Sequence, residues 1–120
     1  MISVIIPTLD EADSLGQIIA AARDEKIACE ILVVDAGSSD ASVAIATAAG
    51  ARVLESRRRQ RAHQLNLGAT HARGELLLFL HADTLLPRNA LRLISGALED
   101  REVVGGAFTR RYASPSRFLR

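Results

Sequence analysis

The sequence predicts an α/β fold, a mainly parallel sheet with helices on both faces. Short apolar runs with no polar alternation recur at Ser3–Ile6, Ile31–Val34, Val53–Leu54 and Leu76–Leu80. Strands apolar on both faces mark a parallel sheet buried between helices. Between these runs lie segments with apolar residues at helical spacing, and this β-α-β-α-β-α-β order is the pattern of a parallel sheet covered on two sides.

Each element has its own signal. Ser3-Val4-Ile5-Ile6 reads as a buried strand stopped by Pro7. Thr8-Leu9-Asp10-Glu11 has capping-box spacing, and Leu15, Ile18, Ile19 and Ala22 follow at i, i+3, i+4, i+7, which predicts a helix. Ile31-Leu32-Val33-Val34 is a second buried strand ending at Asp35. Ala36-Gly37-Ser38-Ser39-Asp40 is turn and cap chemistry, with Asp40 the expected cap of an Ala-rich helix that closes at Gly50. Val53-Leu54 marks a third strand. A helix from about Arg58 to Ala72 follows, with Ala62, Leu65, Ala69 and Ala72 on its apolar face. Leu76 to Leu80 is the strongest strand signal and reads as central. Pro87 suits a first helical position, with Leu91, Ile94 and Leu98 as the stripe behind it, and Val103 to Phe108 reads as a fifth strand.

Composition limits the function classes. The chain has 120 residues, 48% hydrophobic, enough for one domain with a real core. Fifteen basic residues against 14 acidic ones give a net charge of +1, so no global attraction to nucleic acid or anionic lipid is indicated. Cys29 is the only cysteine, which excludes an internal disulfide and a multi-cysteine metal site, and it reads as a small buried residue. No run approaches the roughly 18 apolar residues of a membrane span, and the first strand is too short for a signal peptide. A reducing, cytoplasmic setting is the expectation.

In open α/β sheets ligands bind beyond the carboxyl ends of the strands. That places the chemistry in three segments, Pro7 to Glu11, Asp35 to Asp40 and His81 to Thr84. Asp35 directly follows a buried strand, where its carboxylate can accept from a ribose hydroxyl or a base N–H, and Gly37 lets backbone approach a ligand. Asp83, also just past a buried strand, suits a divalent cation bridging a diphosphate, because hard cations take oxygen ligands and Mg²⁺ commonly uses one or two carboxylates plus phosphates. Arg57, Arg58, Arg59 and Arg61 crowd the start of the third helix, where a helix N-terminus favours an anion. Arg57 and Arg58 read as a solvated face; Arg61, Gln64 and Asn66 lie where the helix passes the strand-end cleft. No two histidines share i, i+4 spacing, so His63, His71 and His81 carry no metal reading.

These segments resemble a family. Ser3 to Glu11 is similar to the opening strand and loop of family 2 glycosyltransferases, and Glu30 to Asp40 to their second strand with its D-x-G-S-x-D loop. Asn66-Leu67-Gly68, Ala72-Arg73-Gly74 and Leu78-Phe79-Leu80-His81-Ala82-Asp83-Thr84 resemble later family segments in the same order. The resemblance implies a Rossmann-like GT-A fold that binds a nucleotide-diphosphate sugar, commonly a UDP-sugar, with a divalent metal (Mn²⁺ or Mg²⁺), and transfers the sugar with inversion to an unknown acceptor. It implies nucleotide-binding roles for Pro7, Thr8, Leu9, Glu11, Asp35, Gly37, Ser38, Arg61, Asn66, His81 and Ala82, with Asp83 as metal ligand. Two departures stand out. His81 replaces the first Asp of the family's D-x-D motif, keeping a hydrogen bond to ribose within reach, and Ala36 stands where many members have a second Asp. His81 to Thr84 with Gly105-Gly106-Ala107-Phe108 looks most like a bacterial subgroup associated with arsenosugar biosynthesis.

The same resemblance puts the catalytic base beyond residue 120, so residues 1–120 are expected to be the donor-binding part of a GT-A domain without its acceptor half. A sheet cut there would expose an edge or apolar face, and self-association by edge pairing or by exchange of the segment from Val103 onward is expected. Peripheral attachment at the inner membrane face suits a lipid acceptor. The competing class is a non-catalytic nucleotide-binding or regulatory module. A nicotinamide-dependent oxidoreductase is disfavoured because Pro7 to Glu11 replaces the glycine-rich first turn. Nucleic-acid binding is disfavoured because aromatics are 3% of the chain.

Overall fold

The computed structural model describes residues 1–24, 26–87, 89–99 and 105–106. Its elements are β1 (Ile2–Thr8), α1 (Ala12–Ala22), β2 (Cys29–Asp35), α2 (Ser42–Ala48), β3 (Arg52–Glu55), α3 (Arg61–His71), β4 (Leu76–Phe79) and α4 (Ala90–Ala97). The strands form a parallel sheet in the order β3-β2-β1-β4. This is the α/β architecture the apolar runs predict. The reading of Val103 to Phe108 as a strand lies outside the described residues except at Gly105 and Gly106, which are not in a strand.

Two apolar layers flank the sheet. On one face Ile2, Val4, Ile6, Ile31 and Val33 pack with Leu15, Ile18, Ile19 and Ala22 of α1, Ala46 of α2 and Leu91 of α4. On the other, Ile5, Leu32 and Val34 meet Leu54 of β3, Leu65, Leu67 and Ala69 of α3, and Ala72 just beyond it. The alternation along β1 and β2 thus divides one continuous apolar run between two cores.

Several local expectations change. The buried positions of α3 are Gln64 and Gly68, while Ala62 is exposed. The helix comes so close to the sheet that only a glycine fits at the nearest approach. A Cβ on Gly68 would lie 2.4 Å from Ile5 Cγ2 and 3.1 Å from Val34 Cγ2. The helix also begins at Arg61, leaving Arg57 to Arg59 in the connection. The Thr8–Glu11 capping box does not form, because Thr8 is the last residue of β1 and its hydroxyl donates to Ile6 O. Pro87 precedes the α4 cap, Asn89, and accepts the Ala90 N–H.

The strand expected to be central, β4, pairs only with β1 among the described residues. Leu76 and Leu78 join the α1-side core, but Leu77 and Phe79 are 41% and 49% exposed. They sit on the same face as Ile5, through the Ile5–Phe79 register, while α3 lies across β1 and β2 rather than β4. A fully apolar strand therefore shows one covered face and one open face.

Candidate functional site

β1 is the switch point of the sheet. β2 and β3 lie to one side of it and β4 to the other, so the strand order reverses between β1 and β4. Crevices form at the carboxyl ends there. Pro7 helps to open this one. Contrary to the expected stop at Pro7, β1 continues through it to Thr8, pairing Pro7 with Val34 and Thr8 with Asp35. On the β4 side the ladder ends at Ile5, whose carbonyl accepts from Leu80 N–H at 2.9 Å. The next rung on that side would need the N–H that Pro7 lacks. The sheet stays zipped toward β2 and parts toward β4.

The loops leaving β1 and β2 interlock. Asp10, at φ +52°, accepts from Ser39 N–H (2.7 Å) and Asp40 N–H (3.3 Å), and its own N–H donates to Ser38 Oγ (2.9 Å). Glu11 N–H donates to Ser42 Oγ at 2.9 Å. Asp40 accepts from Ser42 N–H (2.9 Å) and Ala12 N–H (3.1 Å), so one carboxylate caps the starts of both α2 and α1. The Ser42 hydroxyl above all, with those backbone N–H groups, holds the Asp40 carboxyl below its ordinary range. The expected cap role of Asp40 is present, and doubled.

Asp35 is buried, and its carboxylate is engaged by its own loop: Oδ2 accepts from Gly37 N–H (3.0 Å) and Ser38 N–H (2.9 Å), and Oδ1 from Ser38 Oγ. Its carbonyl takes the Ser56 N–H at 2.7 Å. Gly37 sits at φ +92°, a conformation few side chains tolerate, and the Arg59 guanidinium lies beside it, 3.9 Å from where a Cβ would be. Asp35 thus shapes the loop that borders the crevice.

A cavity of about 210 Å³ opens at this end, lined by Pro7, Thr8, Leu9, Glu11, Arg59, Arg61 and Gln64. Pro7, Thr8, Leu9, Glu11 and Arg61 are brought together here. Asp35, Gly37 and Ser38 stand behind them through Thr8 and Asp10. Asn66 is exposed on α3 and does not line this cavity. Gln64, one turn from Gly68, lies at the cleft as its place on the helix predicts, but with a role the sequence did not show: its Nε2 donates to Val34 O (2.9 Å) and Thr8 O (3.2 Å), clamping the strand ends. The clue was a lone amide on the face that must touch the sheet. A second cavity, about 400 Å³, is lined by Glu55, Arg57, Arg58, His63 and Leu67.

His81, Ala82 and Asp83 follow β4. Ala82 is buried and its carbonyl accepts from Ser14 Oγ of α1 at 2.7 Å, which ties this segment to the first loop. Thr84 N–H closes a turn on His81 O at 3.1 Å, and the Thr84 hydroxyl donates to Asp83 Oδ1 at 3.2 Å. Asp83 is exposed. Among the described residues no three His, Cys, Asp or Glu side chains converge to hold an ion by themselves. An accessible single carboxylate fits a cation whose remaining ligands come from phosphates and water.

The sequence profile of the glycosyl transferase family 2 matches residues 3–120. This chain belongs to glycosyl transferase family 2. Among the family 2 relatives, the undecaprenyl-phosphate 4-deoxy-4-formamido-L-arabinose transferase of Sodalis glossinidius is 35% identical over 116 residues, covering 87% of this chain and 36% of the relative. Its counterpart from Klebsiella pneumoniae is 34% identical over 119 residues, with the same coverage. The chain thus spans 36% of the length of these curated relatives. The Staphylococcus aureus TarS structure superposes with a TM-score of 0.77 at 19% identity, covering 91% of this chain and 38% of TarS, and shows the shared GT-A, Rossmann-like fold. The Pyrobaculum calidifontis mannosyltransferase PcManGT, in complex with GDP-Man and Mn²⁺, gives 0.68 at 27% identity over 77% of this chain and 31% of its own. Mycobacterium tuberculosis glucosyl-3-phosphoglycerate synthase, with Mn²⁺, UDP and glucosyl-3-phosphoglycerate, gives 0.63 at 26% identity over 88% and 40%.

Proposed function

We propose that this chain forms the donor-binding part of a family 2 glycosyltransferase, holding a nucleotide-diphosphate sugar, a UDP-sugar by preference, for inverting transfer to an acceptor bound elsewhere in the full domain. The observation that carries the reading is the convergence of Pro7, Thr8, Leu9, Glu11, Arg59, Arg61 and Gln64 on one cavity at the switch point of a family 2 sheet, with the Asp35 loop tied behind them through Asp10. The base packs between Pro7 and Leu9, the Asp35 loop borders the nucleoside, and Arg59 and Arg61 meet the diphosphate, since guanidinium groups match phosphate geometry. The similar PcManGT and glucosyl-3-phosphoglycerate synthase structures contain a nucleotide or nucleotide-sugar and Mn²⁺, which supports both the donor class and a metal. Asp83 is the residue that would hold the cation. When bound, it would neutralise the diphosphate as the glycosidic carbon–oxygen bond breaks and the bond to the acceptor oxygen forms. We assign no catalytic base among residues 1–120.

The relatives named as undecaprenyl-phosphate transferases support a lipid phosphate as acceptor, and with it a peripheral position at the membrane. No helix among the described residues is long and apolar enough to cross one.

The test is calorimetric titration with UDP and GDP, with and without Mn²⁺, on the wild type and Asp83→Ala. Metal-enhanced binding that Asp83→Ala makes metal-independent is the expected result. Nucleotide binding with no metal dependence in the wild type would remove Asp83 from the site. Tight nucleotide binding with no donor hydrolysis, even in the full-length protein, would favour the regulatory module instead.

A further inference from the structure

The hydrogen bonds around Gln64 determine which way its amide faces. Thr8 O and Val34 O are both acceptors, and only the NH₂ end of a carboxamide can meet two acceptors. Both amide hydrogens are therefore committed, and Oε1, on the opposite side of the same planar group, faces away from the strand ends. The residue is 6% exposed, and the surface it keeps lines the cavity with Pro7, Thr8, Leu9, Glu11, Arg59 and Arg61. No described group donates to Oε1.

Glu11, which also lines the cavity, offers a charged acceptor, and Gln64 Oε1 offers a neutral one. The Thr8 hydroxyl is committed to Ile6 O, and the Asp35 carboxylate takes three hydrogen bonds from its own loop. Arg59 and Arg61 are donors without acceptor capacity. A neutral acceptor that keeps its surface toward the cavity, on a side chain held rigid by two hydrogen bonds beside Pro7 and Leu9, suits an uncharged planar ring that carries an N–H on its edge. The charged end of the ligand belongs with the arginines.

Resting on the donor-site reading, we infer that Gln64 Oε1 accepts a hydrogen bond from a ring N–H of the donor's nucleobase, making Gln64 a specificity-determining residue of the site. A site that hydrogen-bonds a ligand N–H discriminates against the analogue without it, because the buried acceptor is then left unpaired. Gln64 also clamps the ends of β1 and β2, so loss of the clamp and loss of recognition must be separated.

The experiment titrates UDP and N3-methyl-UDP, and GDP and N1-methyl-GDP, against the wild type and Gln64→Met, with melting curves to verify folding. The wild type is expected to bind the unmethylated form of its preferred nucleotide about tenfold more tightly. Gln64→Met is expected to bind that nucleotide about tenfold more weakly and to lose the preference. A variant that weakens both forms equally and keeps the preference would reduce Gln64 to a clamp and overturn the inference, with the donor site intact. Wild-type protein that binds neither UDP nor GDP would overturn the donor site and this inference together. Should Gln64→Met not fold, ¹⁵N spectra of the wild type decide: the Gln64 side-chain amide must shift with the unmethylated nucleotide and not with its methylated analogue, and equal shifts with both would overturn the inference.

Discussion

The Asp10 carboxylate accepts the Ser39 backbone N–H at 2.7 Å, joining the loop after β1 to the loop after β2. Asp10 occupies a left-handed backbone conformation, φ +52°, which Asp, Asn and Gly tolerate better than other residues. Asp10→Ala should cost about 1 kcal/mol and weaken nucleotide binding several-fold, since the loops it ties together border the cavity. Asp10→Asn, which keeps an acceptor and the backbone preference, should lose less on both counts. Chemical denaturation and titration with UDP measure the two effects.

Two glycines differ in what surrounds them. At Gly68 an added Cβ meets side-chain methyls of Ile5 and Val34, whereas at Gly74 it meets Met1 O at 2.6 Å and Ser3 N at 2.8 Å. Side chains can shift and strand backbone cannot. Gly68→Ala should cost ~1–3 kcal/mol by overpacking, and Gly74→Ala should cost more. Urea midpoints at constant m-value would rank them, and a smaller loss at Gly74 would contradict the geometry.

Glu30 predicts an acid limb of stability. Partial burial alone would raise its carboxyl, but hydrogen bonds from Ser3 Oγ at 2.6 Å and from the Arg73 N–H, with the nearby Gly74 N–H and the Arg73 charge, hold it below its ordinary value of 4.5. A group whose folded pKa is depressed stabilises the fold above its unfolded pKa, and that contribution fades as pH falls through the folded one. Wild-type stability should therefore drop below about pH 4.5 more steeply than that of Glu30→Gln, which should be less stable at pH 7. Denaturant titrations across pH 3 to 7 would show the difference, and parallel curves would exclude Glu30 as its source.

The open face of β4 is where self-association is tested. Leu77 and Phe79 form an exposed apolar pair on β4, and such pairs promote contact between copies. Phe79→Lys should shift sedimentation of concentrated protein toward monomer. A wild type that is already monomeric at high concentration would end the proposal.

The strands were legible because a parallel sheet imposes apolar residues on both faces, and the loops because the chemistry follows the strand ends. Asp40 could be read as a cap from its place before an Ala-rich run. Its second helix could not, since Ala12 meets it only in three dimensions. Gly68 was hidden as a buried position for a related reason: helical periodicity picks out Ala62, Leu65, Ala69 and Ala72, while the closest helix–sheet approach demands the smallest residue. Pro7 was read as a terminator because its consequence depends on which neighbour its nitrogen faces. Leu77 and Phe79 misled because apolar sequence reports what a face can bury, not what lies over it.

The strand order also carries a timetable. β1 pairs with β2, its next strand in sequence, but its other edge belongs to β4, which comes only after β3 and α3. As the polypeptide leaves the ribosome, the β1–β2–β3 half can assemble while that edge waits, a bare template for the wrong neighbour. The crevice is completed by the last of these strands to be made, so errors of assembly should collect where the ligand is to bind.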